Sequence, residues 1–187
     1  MKRAFTLIEL LVVIAIIGLL STIAVVSLGS ARINSRNTTR KANLVQMSKA
    51  LELYYANFGA YPTTGGNWQG DCITFGSLPD VDTLNASPTS CNDLSSPSWI
   101  PGLTSCGYMA KLPHDPDTNK SPGSGSSYCT DNPSVACYLY KSDGVDYKLL
   151  AHCTPEGGNV STSDPFYDSG HGRSWAYTVF SSGGYAW

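Results

Sequence analysis

The chain has 187 residues, with 12 Lys and Arg against 14 Asp and Glu, 18 Gly, 11 Pro and six Cys, a length that suits one anchoring segment plus one folded domain. Its net charge of −2 divides unevenly: residues 1–58 hold seven basic and two acidic side chains, and residues 59–187 hold five basic and twelve acidic ones. The larger, acidic part has no basic stripe to offer a phosphate backbone, so no nucleic-acid partner is expected.

Residues 5–28, FTLIELLVVIAIIGLLSTIAVVSL, contain one charge, Glu9. A helix of that length spans about 36 Å at about 1.5 Å per residue, enough to cross a hydrocarbon core of about 30 Å. A carboxylate inside such a span costs on the order of 3 kcal/mol, so Glu9 needs compensation. Either it snorkels to the interface from the helix end, or it meets a positive partner.

Only Met1-Lys2-Arg3-Ala4 precedes this run, and the run outlasts the apolar core of a signal peptide, so it is read as retained. A short basic leader followed by Phe5-Thr6-Leu7-Ile8-Glu9 resembles the amino terminus of type IV prepilins and pseudopilins. The resemblance implies cleavage by a prepilin peptidase between Ala4 and Phe5, where the family usually has Gly in place of Ala4. It implies methylation of the new Phe5 amine, and pairing of that amine with Glu9 of a neighbouring subunit as the helices pack into a fibre. Many members have a Pro near the end of the span; Val26 stands there in this chain, with Gly29 the nearest weak point.

Residues 29–58 continue the helix with a different face. Arg32, Arg36 and Arg40 are four apart, reading as a solvated row or as contacts with lipid phosphates or the acidic heads of neighbouring subunits. Leu44, Met47, Leu51, Tyr54 and Phe58 follow the three-four spacing of a docking stripe. A helix over 5–58 is about 80 Å long, so part of it stands out of the membrane as a stalk. Gly59 and Pro62 end it. Gly59-Ala60-Tyr61-Pro62 is similar to the turn by which major pseudopilins leave the stem.

Residues 63–107 are polar and poorly periodic and read as a long loop, with one helical turn over 73–78. Trp68 and Trp99 in it are read as packing residues. Leu112-Pro113-His114-Asp115-Pro116 is similar to the Leu-Pro-x-Asp-Pro turn of major pseudopilins, although Asp117 follows where an aromatic residue is usual. Residues 121–127 read as a flexible insertion. Residues 136–142 and 145–152 are β-rich runs joined at Asp143-Gly144, a strong hairpin signal, and 174–181 alternate as a third strand. The expected fold is α+β and type IV pilin-like: a long amino-terminal helix (leader 1–4, span 5–28, amphipathic half 29–58) and a head over 59–187 with a three-stranded antiparallel sheet.

All six cysteines, Cys72, Cys91, Cys106, Cys129, Cys137 and Cys153, lie in that head. An even count in a loop-rich domain reads as a disulfide framework if the head is exported, and Cys129 and Cys137 form the obvious local pair. Arg32, Arg36, Arg40 and Lys41 after the span outnumber Lys2 and Arg3 before it, which by itself favours a cytoplasmic head. Six thiols without a task argue for the opposite orientation, and the head is placed outside the cytoplasm.

No nucleophile elbow, zinc-protease motif or phosphate loop occurs, so no enzymatic role is expected. The carboxylate pairs Asp143 with Asp146 and Asp164 with Asp168 read as solvated surface. The pseudopilin resemblance implies a calcium site in the loop before the last strand, for which Asp164 and Asp168 are the candidate ligands, though the family's Gly-rich ligand pattern is not reproduced. The expected function is that of a pseudopilin in a membrane-anchored fibre for type II secretion, self-associating and meeting a prepilin peptidase, an inner-membrane assembly platform and minor pseudopilins. A surface pilus for adhesion, motility or DNA uptake, or a tethered binding domain that never polymerises, are the other readings.

Overall fold

The computed structural model describes residues 6–70, 99–117, 137–152, 155–156 and 158–187, without the side chains at 23–27 and 173. The cleavage site, Cys72, Cys91, Cys129, Cys153, the expected turn over 73–78 and the insertion over 121–127 lie outside these residues. Helix α1 covers Leu7–Phe58, and the chain divides into two compact units between Ser35 and Arg36.

In the first unit, among the described side chains, Leu7, Ile8, Leu10, Leu11, Ile14, Ile17, Leu19 and Leu20 of α1 are each more than half exposed. The described apolar side chains of residues 7–22 extend about 24 Å at about 1.5 Å per residue. Among the described residues no helix is long and apolar enough to cross a membrane.

Among the described residues the second unit contains the rest of α1 and five antiparallel strands: β1 Gln69–Gly70, β2 Cys137–Ser142, β3 Tyr147–His152, β4 Tyr167–Asp168 and β5 Arg173–Phe180. Their order is β1-β2-β3-β5-β4. The Asp143-Gly144 hairpin forms as read, with Ser142 opposite Tyr147. Asp143 Oδ1 accepts the N–H groups of Val145 and Asp146, both at 2.9 Å, which fixes the turn and holds the Asp143 carboxyl below its ordinary range. Gly144 takes φ +96°, a region closed to most side chains.

Among the described residues the sheet has five strands rather than the expected three. β1 and β4 are two residues each, too short to leave an alternating pattern in a sequence, and they exist only because longer neighbours offer free edges. β4 pairs with β5 across a register shift between Tyr167 and Asp168.

Strand alternation gives the sheet two apolar faces. Tyr138, Tyr140, Tyr147, Leu149, Ala151 and Tyr177 pack with Leu44, Met47, Ala50, Leu51 and Tyr54 of α1. Cys137, Leu139, Leu150 and Ala176 form a second cluster on the other face, with Trp68 and Trp175 against it. The stripe on α1 is therefore the core contact expected of it, except at Phe58, which is 40% exposed at the helix end. Trp99 is buried and stacks on Tyr138 at an interplanar angle of 7°, so both tryptophans pack, as read.

Gly59 ends α1 at φ +71°, and its N–H bonds Tyr55 O at 2.8 Å. The chain then folds straight onto the hairpin. Tyr61 N–H bonds Gly144 O at 2.8 Å, the Tyr61 ring meets Tyr147 edge-on at 4.7 Å, and Tyr140 donates to Pro62 O at 2.7 Å. The Gly-Ala-Tyr-Pro turn is thus a docking point for β2 and β3. Cys137 is disulfide-bonded, and Cys106 is half-buried against the core.

Candidate functional site: the start of the helix and its clasp

Two constellations carry the sequence-predicted residues: the first turn of α1, and the surface where residues 36–41 meet the head.

At the helix start, Thr6 and Glu9 form a reciprocal pair. Thr6 N–H donates to Glu9 Oε2 at 2.9 Å, Thr6 Oγ1 donates to the same oxygen at 2.8 Å, and Glu9 N–H reaches Thr6 Oγ1 at 3.3 Å. This is a capping box, which satisfies orphan donors of the first turn. The sequence signal for it, Thr-x-x-Glu ahead of an apolar run, was present, but Glu9 was read only for its charge. The box also aims Glu9: its Oε2 is held by Thr6, at the outer end of an exposed apolar helix.

At the second constellation two members of the arginine row, Arg36 and Arg40, pair with carboxylates of their own head. Arg32 is exposed, but Arg40 has no exposed surface at all. Its Nε and Nη2 bond Asp115 Oδ2 and Oδ1, both at 2.7 Å, and its Nη1 lies 2.6 Å from Glu156 Oε1. Arg36 Nε reaches the same carboxylate at 2.8 and 3.0 Å, with Nη2 on Oε2 as well. Asn37 sits between them, donating to Glu156 O at 3.1 Å while its Oδ1 accepts from Glu156 N–H at 3.1 Å and from Arg40 Nη1 at 3.0 Å. One turn further, Lys41 Nζ is 2.5 Å from Asp164 Oδ2 and 4.7 Å from the ring centre of Tyr177.

The electrostatics follow. Burial opposes the charge on Arg40, but Asp115 and Glu156 outweigh it and hold the guanidinium above its usual pKa. Hydrogen bonds from Arg36, helped by Arg40, bring the Glu156 carboxyl down to about 2 against the cost of burial. Burial pulls Asp164 upward, yet Lys41 and the Phe166 N–H leave it below its ordinary value. Three helix cations are thus matched by three head anions, which ties part of the basic stem to part of the acidic head. It also accounts for the surplus of positive charge after the span: Arg36, Arg40 and Lys41 serve the folded head.

Asp115 explains the Leu-Pro-x-Asp-Pro turn. Leu112 is buried in the core, and Asp115 Oδ1 accepts the N–H of Asp117 at 2.9 Å, which points the carboxylate at Arg40. Glu156 had no motif around it to mark it, since its partner lies 120 positions away.

The calcium implied by the resemblance is not matched by these side chains. Asp164 is engaged by Lys41. Asp168, read as solvated, is fully buried, and its Oδ1 is 3.0 Å from the buried Lys148 Nζ. Calcium takes six to eight oxygens at about 2.3–2.6 Å; here each candidate carboxylate already faces an ammonium. Among the described residues no group of three or more His, Cys, Asp or Glu side chains converges.

Comparison with known proteins bears on the amino terminus and on the chain as a whole. Residues 1–25 match the family model of the prokaryotic N-terminal methylation motif, which defines a pilin-like amino terminus. Curated relatives include three named type II secretion system core protein G. The chain is 29% identical over 131 residues to that of Escherichia coli, covering 68% of this chain and 77% of the relative. It is 30% identical to that of Pseudomonas aeruginosa over 115 residues, 62% and 68% of the two chains. It is 30% identical to that of Aeromonas hydrophila over 126 residues, 65% and 75%. The chain belongs to this family, the major pseudopilins, and is a pseudopilin subunit of the secretion fibre. No solved structure matches it.

Proposed function

We propose that this chain is made as a prepilin, cut between Ala4 and Phe5 and methylated at Phe5 by a prepilin peptidase. It then waits in the cytoplasmic membrane with residues 5–28 as its span and its head outside the cytoplasm. The observation that carries this reading is the row of uncovered apolar side chains from Leu7 to Leu20 behind one carboxylate. A bare apolar surface of that size requires lipid or other apolar helices around it. Both are supplied in turn if subunits leave the bilayer to pack helix on helix. The periplasmic fibre so formed has apolar helices at its centre and heads outside, and its role is mechanical rather than catalytic.

In this reading the Phe5 amine of one subunit pairs with Glu9 of another, setting register, and the Arg36–Arg40 clasp makes the head follow when the helix is pulled. The assembly platform and minor pseudopilins are the further partners, and cysteines of the exported head, Cys137 among them, close disulfides.

The test is the intact, unreduced mass and amino-terminal sequence of protein taken from its own membranes, with crosslinking of a Glu9→Ala variant alongside. A chain beginning at N-methylated Phe5, whose fibre crosslinks vanish in Glu9→Ala while membrane content stays constant, is the expected result. An unprocessed chain beginning at Met1, or a Glu9→Ala variant that still crosslinks, overturns it.

A further inference from the structure

Lys148 is the one described cation that the clasp does not use and that is nevertheless wholly buried. It sits in β3, whose six residues are all buried, on the face turned away from α1. An ammonium without solvent must be surrounded by acceptors or it does not stay charged, and here they come from four places in the chain. Nζ lies 3.0 Å from Asp168 Oδ1 in β4, 2.6 Å from the backbone oxygen of Trp187 and 3.3 Å from His171 Nδ1. It also lies 5.5 Å from the ring centre of Phe180 at the end of β5. Among the described residues these hydrogen-bond contacts engage the protons of the ammonium, and an aromatic face lies against it.

These contacts tie β4, which also pairs with β5, to the tail that follows β5. β4 is two residues long. The tail after β5 is one short 3-10 turn, Gly184–Ala186, anchored also by Asp146, whose Oδ1 accepts Gly183 N–H at 2.8 Å. A two-residue strand and a single turn contribute little cohesion of their own. A central positive charge that draws a carboxylate and the Trp187 backbone oxygen inward is the kind of staple a bound metal supplies elsewhere.

We infer that Lys148 is the resident cation of this loop: its ammonium does the work of a bound divalent ion, so the loop before β5 and the carboxyl-terminal turn close without metal. The loop is then indifferent to calcium supply, and its closure is encoded wholly in the chain. A calcium ion entering at Asp168 would stand beside a buried like charge, and the hard oxygen shell it needs is interrupted by nitrogen donors.

The test uses the purified full chain in detergent micelles, followed by near-ultraviolet circular dichroism during heating. The wild type is expected to unfold at the same temperature in millimolar calcium chloride as in EGTA, and calorimetric titration with calcium is expected to show no heat of binding. A calcium-dependent rise of several degrees overturns the inference. Lys148→Met strands the Asp168 carboxylate and is expected to lower the midpoint by about 6–20 °C. Lys148→Met with Asp168→Asn is expected to recover part of the loss. A Lys148→Met midpoint equal to wild type overturns the inference too; if that variant does not fold, the wild-type calcium arm still decides. None of these readouts depends on processing or fibre formation, so they fail or succeed separately from the pseudopilin reading.

Discussion

Arg40 and Asp115 are joined by two parallel bonds of 2.7 Å between a guanidinium with no exposed surface and the carboxylate of a proline-bracketed turn. Removing one member of such a pair leaves the other charged, buried and unmatched, at a cost of about 3–5 kcal/mol. Arg40→Met is therefore expected to lower the midpoint of thermal unfolding by about 6–20 °C for a chain of this size. Arg40→Lys is expected to recover less than half of that, because a point charge cannot hold Asp115 and Glu156 through a fixed fork. Calorimetry of the two variants checks the order; equal stability of Arg40→Met and wild type would show that the clasp holds nothing.

The same clasp sets a pH dependence. The Glu156 carboxyl is held at about 2 by Arg36 and Arg40, below its value in an unfolded chain of about 4.3. A depressed folded pKa contributes stability that is complete above the unfolded pKa and is lost as pH falls through the folded one. Asp164 shifts in the same direction through Lys41. Stability is expected to decline from about pH 5 to pH 2, by about 2 kcal/mol for Glu156 after allowance for the partial exposure of Arg36. Denaturant titrations across that range check it, and Glu156→Gln is expected to flatten the slope.

These two residues show where the sequence was legible. The Leu112 to Pro116 turn stood out as a motif, as did Gly59 to Pro62, the helix stripe and the Asp143-Gly144 hairpin, because each signal is local: spacing on a helix face, turn chemistry, alternation. What these elements do for one another was not legible. Arg40 read as a surface residue since spacing alone places it in a row with Arg32, and only the fold brings Asp115, 75 positions away, under its guanidinium. Asp168 read as solvated for the same reason, its partner Lys148 lying on another strand. β1 and β4 carry no pattern of their own, so tertiary pairing alone defines them.

Two glycines separate backbone strain from steric exclusion. Gly59 holds φ +71° with open space around the position of a Cβ, so Gly59→Ala bears only the cost of a left-handed conformation, about 1–2 kcal/mol. Gly70 has an ordinary φ, but a Cβ there would strike the Leu139 side chain and the Tyr138 carbonyl, both in β2. Gly70→Ala is expected to cost more than Gly59→Ala and to detach β1 from β2, visible as faster hydrogen exchange at residues 69 and 70. Equal effects of the two substitutions would refute the assigned close approach.

The capping box makes a prediction at the other end of the helix. Thr6 gives Glu9 two of its hydrogen bonds and receives one, so Thr6→Ala removes the cap and releases the carboxylate together. Loss of a Thr cap costs about 1 kcal/mol, too little to unfold the head, whose Arg36–Glu156 contact lies 30 residues further along the helix. The expected result is local: faster amide exchange over residues 7–10 in micelles, with an unchanged melting temperature for the head. Thr6→Ser keeps both the acceptor and the donor and is expected to behave as wild type. If Glu9 acts in assembly through a fixed orientation, Thr6→Ala also reduces fibre crosslinking while Thr6→Ser does not. Normal crosslinking by Thr6→Ala would mean that the charge of Glu9 suffices and its aim does not matter.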